Sequence, residues 1–261
     1  MLHRINGIVF LMAAIAGAVG PVCAVELKAD AAGQRLQKAY PAHVVSVENG
    51  HIVWRDGTRM IIDDGTGQKS YEDLLAAPDL QDIFAIDYPV GDPSPPPVDA
   101  DPGRARPEAF FEQMYGDCRK GEVADNLVSV AWMPSRGGHT IQMTRVNGVA
   151  DKVRAISAEL ERLPASFDAY LKPVAGTYVC RVIAGTDRPS THGLGIAIDL
   201  ALKHAHYWRW SKPDASGHYP WKNEIPLEII NIFEKHGFIW GGRWYHYDTM
   251  HFEYRPELLL K

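Results

Sequence analysis

Ser190-Thr191-His192-Gly193-Leu194-Gly195-Ile196-Ala197-Ile198-Asp199 is answered further along the chain by Asp248-Thr249-Met250-His251-Phe252-Glu253. The first stretch offers an imidazole, His192, and a carboxylate, Asp199. The second offers His251 with a carboxylate, Asp248, three residues before it. Two histidines and one aspartate are a common ligand set for zinc, and three protein ligands leave a fourth position for water. A spare carboxylate beside such a site is what a metal-dependent hydrolase uses as general base. The residues therefore predict a zinc-dependent hydrolase with His192, Asp199 and His251 on the metal and Asp248 as base.

Spacing supports a common edge for these groups. Residues 195–200 read as a buried strand in which successive side chains alternate between faces. Ile196, Ile198 and Leu200 take one face, and Gly195, Ala197 and Asp199 the other, so Asp199 has only small neighbours. His192 precedes the strand in a glycine-containing turn that can fold it back to the same face. In the second stretch His251, Glu253 and Arg255 share a face, while Phe252 and Tyr254 pack on the opposite one.

The combined pattern, Ser-x-His-x-x-Gly-x-Ala-x-Asp followed by Asp-x-x-His-Phe-Glu, resembles the zinc D-alanyl-D-alanine carboxypeptidases and L-alanyl-D-glutamate endopeptidases of bacterial cell-wall metabolism. These share a fold with the signalling domain of hedgehog proteins. The resemblance covers residues 175–257. It implies that His192, Asp199 and His251 are the zinc ligands, that Asp248 takes a proton from water and passes it to the departing amine, and that Ser190 is a positioning group. Family members carry an arginine that steadies the scissile carbonyl as it gains negative charge. Arg181 is the first candidate and Arg188 the second, because the connection to His192 is shorter here than in the family. The implied substrate is a peptidoglycan stem peptide, cut as a D-Ala-D-Ala carboxypeptidase or, by the Asp-x-x-His form of the second motif, as an endopeptidase. A binding module that keeps the zinc but turns nothing over is the alternative; Asp248, which a pure binder does not need, argues against it.

Residues 1–24 read as a secretory signal peptide: Arg4 near the start, an apolar run from Ile8 to Val19, and Val22-Cys23-Ala24 before the cut. The run is shorter than the roughly 20 residues that a bilayer requires. The mature protein is expected to be exported, periplasmic or secreted, with no stable membrane insertion. Cys23 leaves with the signal, so Cys118 and Cys180 remain as candidates for a disulfide; they form no Cys-x-x-Cys pair that would suggest metal. The net charge of -5 and the absence of a basic cluster give no sign of nucleic-acid binding. The zinc-protease motif His-Glu-x-x-His and the serine-hydrolase elbow Gly-x-Ser-x-Gly are both absent.

Residues 25–100 read as an N-terminal accessory segment. It has a helix over 29–39, a hairpin around Asn49-Gly50, a helix over 71–76, and a connector loaded with proline through Pro93-Ser94-Pro95-Pro96-Pro97. It is short for an independent core, so it either stands alone or wraps the catalytic domain. Residues 101–261 carry the peptidase pattern. There the reading is a helix from Pro107, a strand pair at 127–132 and 140–144, a helix capped by Asn147, a strand over 177–183 that delivers Arg181, and a helix over 226–236 stopped by Gly237. Among the aromatic residues, Trp208, Trp210, Trp240 and Trp244 are read as cleft wall or core. His246 is read as a polar side chain near Asp248 that could line a cleft. Strands and helices do not alternate regularly. The fold class predicted is α+β, a mostly antiparallel sheet with flanking helices, the hedgehog-like zinc fold that the resemblance implies.

Overall fold

The computed structural model describes residues 28–260; the expected signal peptide, with Cys23, lies outside them. The architecture is α+β, and the strands form three small antiparallel sheets. Helix α1 (Ala29–Ala39) leads into strands β1 (Val44–Glu48), β2 (His51–Trp54) and β3 (Arg59–Ile61), a meander whose first turn is Asn49-Gly50, both residues at positive φ. Helix α2 (Tyr71–Ala76) begins at Ser70, whose side chain accepts from the Asp73 amide. After the proline-rich stretch come α3 (Glu108–Tyr115), the hairpin β4 (Leu127–Ala131) and β5 (Thr140–Thr144), α4 (Val149–Leu160) and the single turn α5 (Asp168–Leu171). The last sheet holds β6 (Ala197–Asp199), β7 (Phe238–Trp240) and β8 (His251–Tyr254), with α6 (Leu227–Lys235) packed behind it.

This last sheet positions the chemistry. β8 lies in the centre, antiparallel to β6 on one side and to β7 on the other. Ile198 pairs with Phe252, and Trp240 pairs with Phe252 from the other side. Those side chains turn to the core, where the Phe252 ring stacks on Phe233 of α6 at 4.0 Å between centroids. Alternation then sends Asp199, His251 and Glu253 to the opposite face. The register sets Asp199 directly across from His251 and Ala197 across from Glu253.

The hydrophobic core runs through both sides of residue 100. Leu36, Tyr40, Ile52 and Trp54 belong to the same buried cluster as Phe110, Phe233 and Phe252. Polar contacts fasten the N-terminal segment to the C-terminal strands. Tyr40 donates to Glu257 Oε2 at 2.5 Å, and Arg35 donates to the carbonyls of Glu257 and Leu260. Tyr88, at the start of the proline-rich stretch, donates to Glu234 and accepts from the Trp240 amide. No helix among the described residues is long and apolar enough to cross a membrane.

Two expectations are corrected. Asn147 does not cap α4: it sits in a left-handed conformation (φ 56°) one residue before Gly148, which is the N-cap, and its amide reaches Met114 and Tyr115 instead. Residues 177–183 do not form a strand. The segment makes only isolated bridges, Gly176 to Asp199 and Val182 to Pro189, and Val179, Cys180, Arg181 and Val182 are exposed. Its β-rich composition describes a fit to a half-buried pleated surface, and none is offered beside β6 beyond that one bridge. A disulfide between Cys118 and Cys180 holds the segment in place.

Candidate metal centre

His192 lies in a 3-10 turn, Thr191–Leu194, which begins at Ser190 and ends at Gly195 in the left-handed conformation (φ 69°). Ser190 is buried and its Oγ accepts from the His192 amide. A Cβ at Gly195 would lie 2.9 Å from Leu127 and 3.1 Å from the Thr144 backbone, so glycine is required on two counts. The turn brings His192 onto the face shared by Asp199 and His251. Ligand atoms of these three residues lie within 4.8 Å of one another, a set able to hold a metal ion.

The hydrogens around the site decide what fits there. His192 Nδ1 lies 2.6 Å from the Thr177 carbonyl, which can only accept, so this nitrogen carries the hydrogen. In the neutral ring Nε2 is then a bare lone pair. It is buried, forms no hydrogen bond, and faces Asp199 Oδ2 at 3.1 Å. His251 repeats the arrangement with its nitrogens exchanged. Its Nε2 lies 3.0 Å from Glu253 Oε2, and its Nδ1 lies 2.9 Å from Asp199 Oδ1. Two nitrogens and a carboxylate thus converge, a setting that favours a positive charge between them, whether a proton on His251 or a metal ion. A zinc ion fits this donor set, with Thr177 and Glu253 fixing the outer nitrogens of the two rings.

The charges follow from the same contacts. Burial opposes ionisation of Asp199, yet its contacts with His192 and His251 hold it well below the usual carboxylate range. Burial also disfavours charge on His251, but Asp199 and Glu253 on either side of the ring push its pKa up to about 9. Glu253 is fully buried and is kept ionised against that burial by Arg106, His251 and Arg255. Arg106 grips it with two nitrogens, at 3.1 and 2.6 Å, and Thr191 Oγ1 donates at 2.9 Å. Asp248 differs. Its Oδ1 is buried without a partner, and burial, partly opposed by the nearby His251, pushes its pKa up to about 6.

The remaining sequence-derived candidates separate. Arg181 is exposed, and its guanidinium donates to the neighbouring Val182 carbonyl; the structure does not bring it to the cluster. Arg188 is half-buried, and burial and the charge of Arg104 both lower its pKa. Among the tryptophans, Trp240 is core, and Trp244 is buried with its ring 5.5 Å from that of His251. Trp208 packs on His246, and Trp210 is exposed. Sequence reasoning gave no role to Arg106, Thr177 or Thr191, and placed Glu253 on the right face without a partner. A second acidic group, Asp63, Asp64 and Asp79, is close enough to hold an ion, but Lys69 Nζ already lies 2.7 Å from Asp64 and 2.6 Å from the adjoining Asp82.

An α+β fold that presents two histidines and an aspartate beside an unpaired buried carboxyl has the parts of a metal-dependent hydrolase. Residues 184–254 match the family model described as D-alanyl-D-alanine carboxypeptidase, the family that the two motifs resemble. That stretch contains His192, Asp199, Asp248 and His251, and it supports a peptidase. No curated protein and no solved structure matches the chain.

Proposed function

We propose that this protein is an exported zinc peptidase that hydrolyses peptide bonds in peptidoglycan stem peptides, as a D-Ala-D-Ala carboxypeptidase or an L-Ala-D-Glu endopeptidase. The observation that carries the reading is the convergence of His192 Nε2, His251 Nδ1 and the Asp199 carboxylate inside the stretch that matches the peptidase family. In this reading those three residues hold the ion. Zinc bound there would supply Lewis-acid activation of water and of the scissile carbonyl.

The chain's own groups do the rest. Asp248, unpartnered and poised near neutrality by burial, accepts the proton that water gives up on attacking the carbonyl. Glu253 and Thr177 keep the histidine rings from turning. In this reading Arg188, half-buried near Tyr71 and Asp101, is the candidate to meet negative charge developing on the substrate, because Arg181 is exposed. The disulfide agrees with export to an oxidising compartment.

The test is digestion of purified muropeptides by the zinc-loaded mature protein, with products read by mass spectrometry and a chelator control. Loss of a terminal D-Ala assigns the carboxypeptidase, and a cut after L-Ala assigns the endopeptidase. Zinc bound with no chelator-sensitive product rejects the peptidase and leaves a zinc-containing binding module.

A further inference from the structure

Arg106 is held by Glu253, Arg243 by Glu234, and Arg255 by Glu253 and Glu257. A buried guanidinium ordinarily has such a partner, because burying an unpaired charge is costly. Arg104 and Arg188 are both half-buried, and neither forms an ion pair among the described residues. The Nε of Arg104 is fully buried and has no hydrogen-bond partner.

Arg104 is presented by a turn stitched to the loop that leads into Asp248. The Ala100 carbonyl accepts from the Tyr245 amide at 3.0 Å, Asp101 Oδ1 from the His246 amide at 2.9 Å, and the Pro102 carbonyl from the Trp244 indole at 2.8 Å. Gly103 turns the chain at φ 82°, where a Cβ would lie 2.6 Å from Leu258. The Arg104 guanidinium then lies 4.9 Å over the Trp244 ring, and that ring is 5.5 Å from the ring of His251. Arg188 is carried by the segment that leads into the His192 turn, four residues before the ligand. The two charges act on each other and on the site. Burial and then Arg104 lower the pKa of Arg188, and at Asp248 the charges of His251 and Arg104 oppose the effect of burial. Two neighbouring cations without a carboxylate of their own favour an anion from outside.

We propose that Arg104 is a substrate-binding residue: its guanidinium, supported by the charge of Arg188, receives the free carboxylate of the substrate residue on the amine side of the scissile bond. The proposal rests on the peptidase reading given under Proposed function and specifies what that site recognises. A terminal D-alanine bears its carboxylate on the carbon attached to the scissile nitrogen. A D-glutamate joined onward through its side chain bears one on the same carbon, so a single anion site serves either cut. A guanidinium meets a carboxylate through two parallel N–H donors, which fixes direction as well as position. Trp244 holds the plane of that fork on one side. Arg104 lies outside residues 184–254, so this recognition comes from a part of the chain that the family match does not contain.

The deciding experiment compares a stem-peptide substrate with its carboxamide analogue, in which that one carboxylate is amidated and the scissile bond is the same. The wild-type protein is expected to prefer the carboxylate in kcat/KM. Arg104→Gln is expected to lower this preference about 10- to 100-fold, the worth of a hydrogen bond to a charged group, with zinc content unchanged. Arg104→Lys keeps the charge but loses the fork, and is expected to fall between the two. A wild type that cleaves both substrates equally well, or an Arg104→Gln variant that keeps the full preference, would overturn the proposal. Binding of N-acetyl-D-alanine to the zinc-loaded protein, followed by NMR titration, separates this proposal from the peptidase reading. Weaker binding of its carboxamide, and weaker binding by Arg104→Gln, supports the anion site. If the same protein cleaves neither substrate, the peptidase reading is rejected and the anion site belongs to a binding module. Equal affinity for carboxylate and carboxamide overturns the anion site, whatever the protein cleaves.

Discussion

At the scale of single residues, the site is governed by which nitrogens its neighbours hold. Thr177 and Glu253 hold the outer nitrogens of His192 and His251, so the inner nitrogens face Asp199, and a cation bound there would take the place of the proton that His251 otherwise carries. Asp248 stands beside that cluster with no donor on Oδ1, and burial makes it a stronger base than an ordinary aspartate, with a pKa of about 6. A base must be deprotonated to act, so activity is present above its pKa and falls as pH drops through it. A bound cation would pull the value down. The acid limb of kcat/KM is therefore expected at or below pH 6, followed by a plateau towards neutrality. Asp248→Asn is expected to lower kcat by roughly 100- to 10,000-fold while zinc stays bound. A variant within tenfold of wild type, or a wild-type acid limb above neutrality, would remove Asp248 from the role of base.

Among the elements, the sheet of β6, β8 and β7 and the segment before His192 show what the sequence makes legible and what it does not. The ligand motifs could be read because their geometry is local. Alternation within 197–199 and 251–254 already separates Asp199, His251 and Glu253 from Ile198 and Phe252, and pairing the strands then fixes Asp199 opposite His251. The Asn49-Gly50 hairpin and the helix over 29–39 were legible for the same reason. The grip of Arg106 on Glu253 was not, because 147 residues separate them and no periodicity links them. The segment over 177–183 misleads because its propensity is that of a strand while its restraint is covalent. The Cys118–Cys180 bond ties it down three residues from Thr177, whose carbonyl sets the His192 tautomer. Replacing both cysteines by serine opens a long loop and is expected to cost up to about 4 kcal/mol of stability. Zinc affinity should fall as well, because the Thr177 carbonyl loses its anchor. Denaturant titration and metal competition measure the two effects. Wild-type zinc affinity in a destabilised variant would separate the bridge from the site.

Over the whole molecule, the boundary suggested by the prolines near residue 100 does not divide the core. Leu36, Tyr40 and Trp54 are buried with Phe110 and Phe233, and Glu257 is fully buried between Tyr40 and Arg255. Composition marks 93–97 as a stretch that cannot be helix or interior strand, but composition does not say whether the chain beyond it returns to the same core. Here it does, through Tyr88 to Glu234 and Arg243 to the Gly91 carbonyl. Removing residues 25–100 would strip the cover from Phe110, which packs edge-on against Tyr40 at 5.8 Å, and would leave Arg255 and Glu257 without Tyr40. Uncovering buried aromatic side chains costs about 1.5–3 kcal/mol each, and a domain's whole margin is only about 5–15 kcal/mol. A chain starting at residue 101 is therefore expected to be insoluble, or to lack the cooperative thermal transition of the mature protein. A soluble 101–261 fragment that unfolds cooperatively and binds zinc with wild-type affinity would show the N-terminal segment to be a separable accessory.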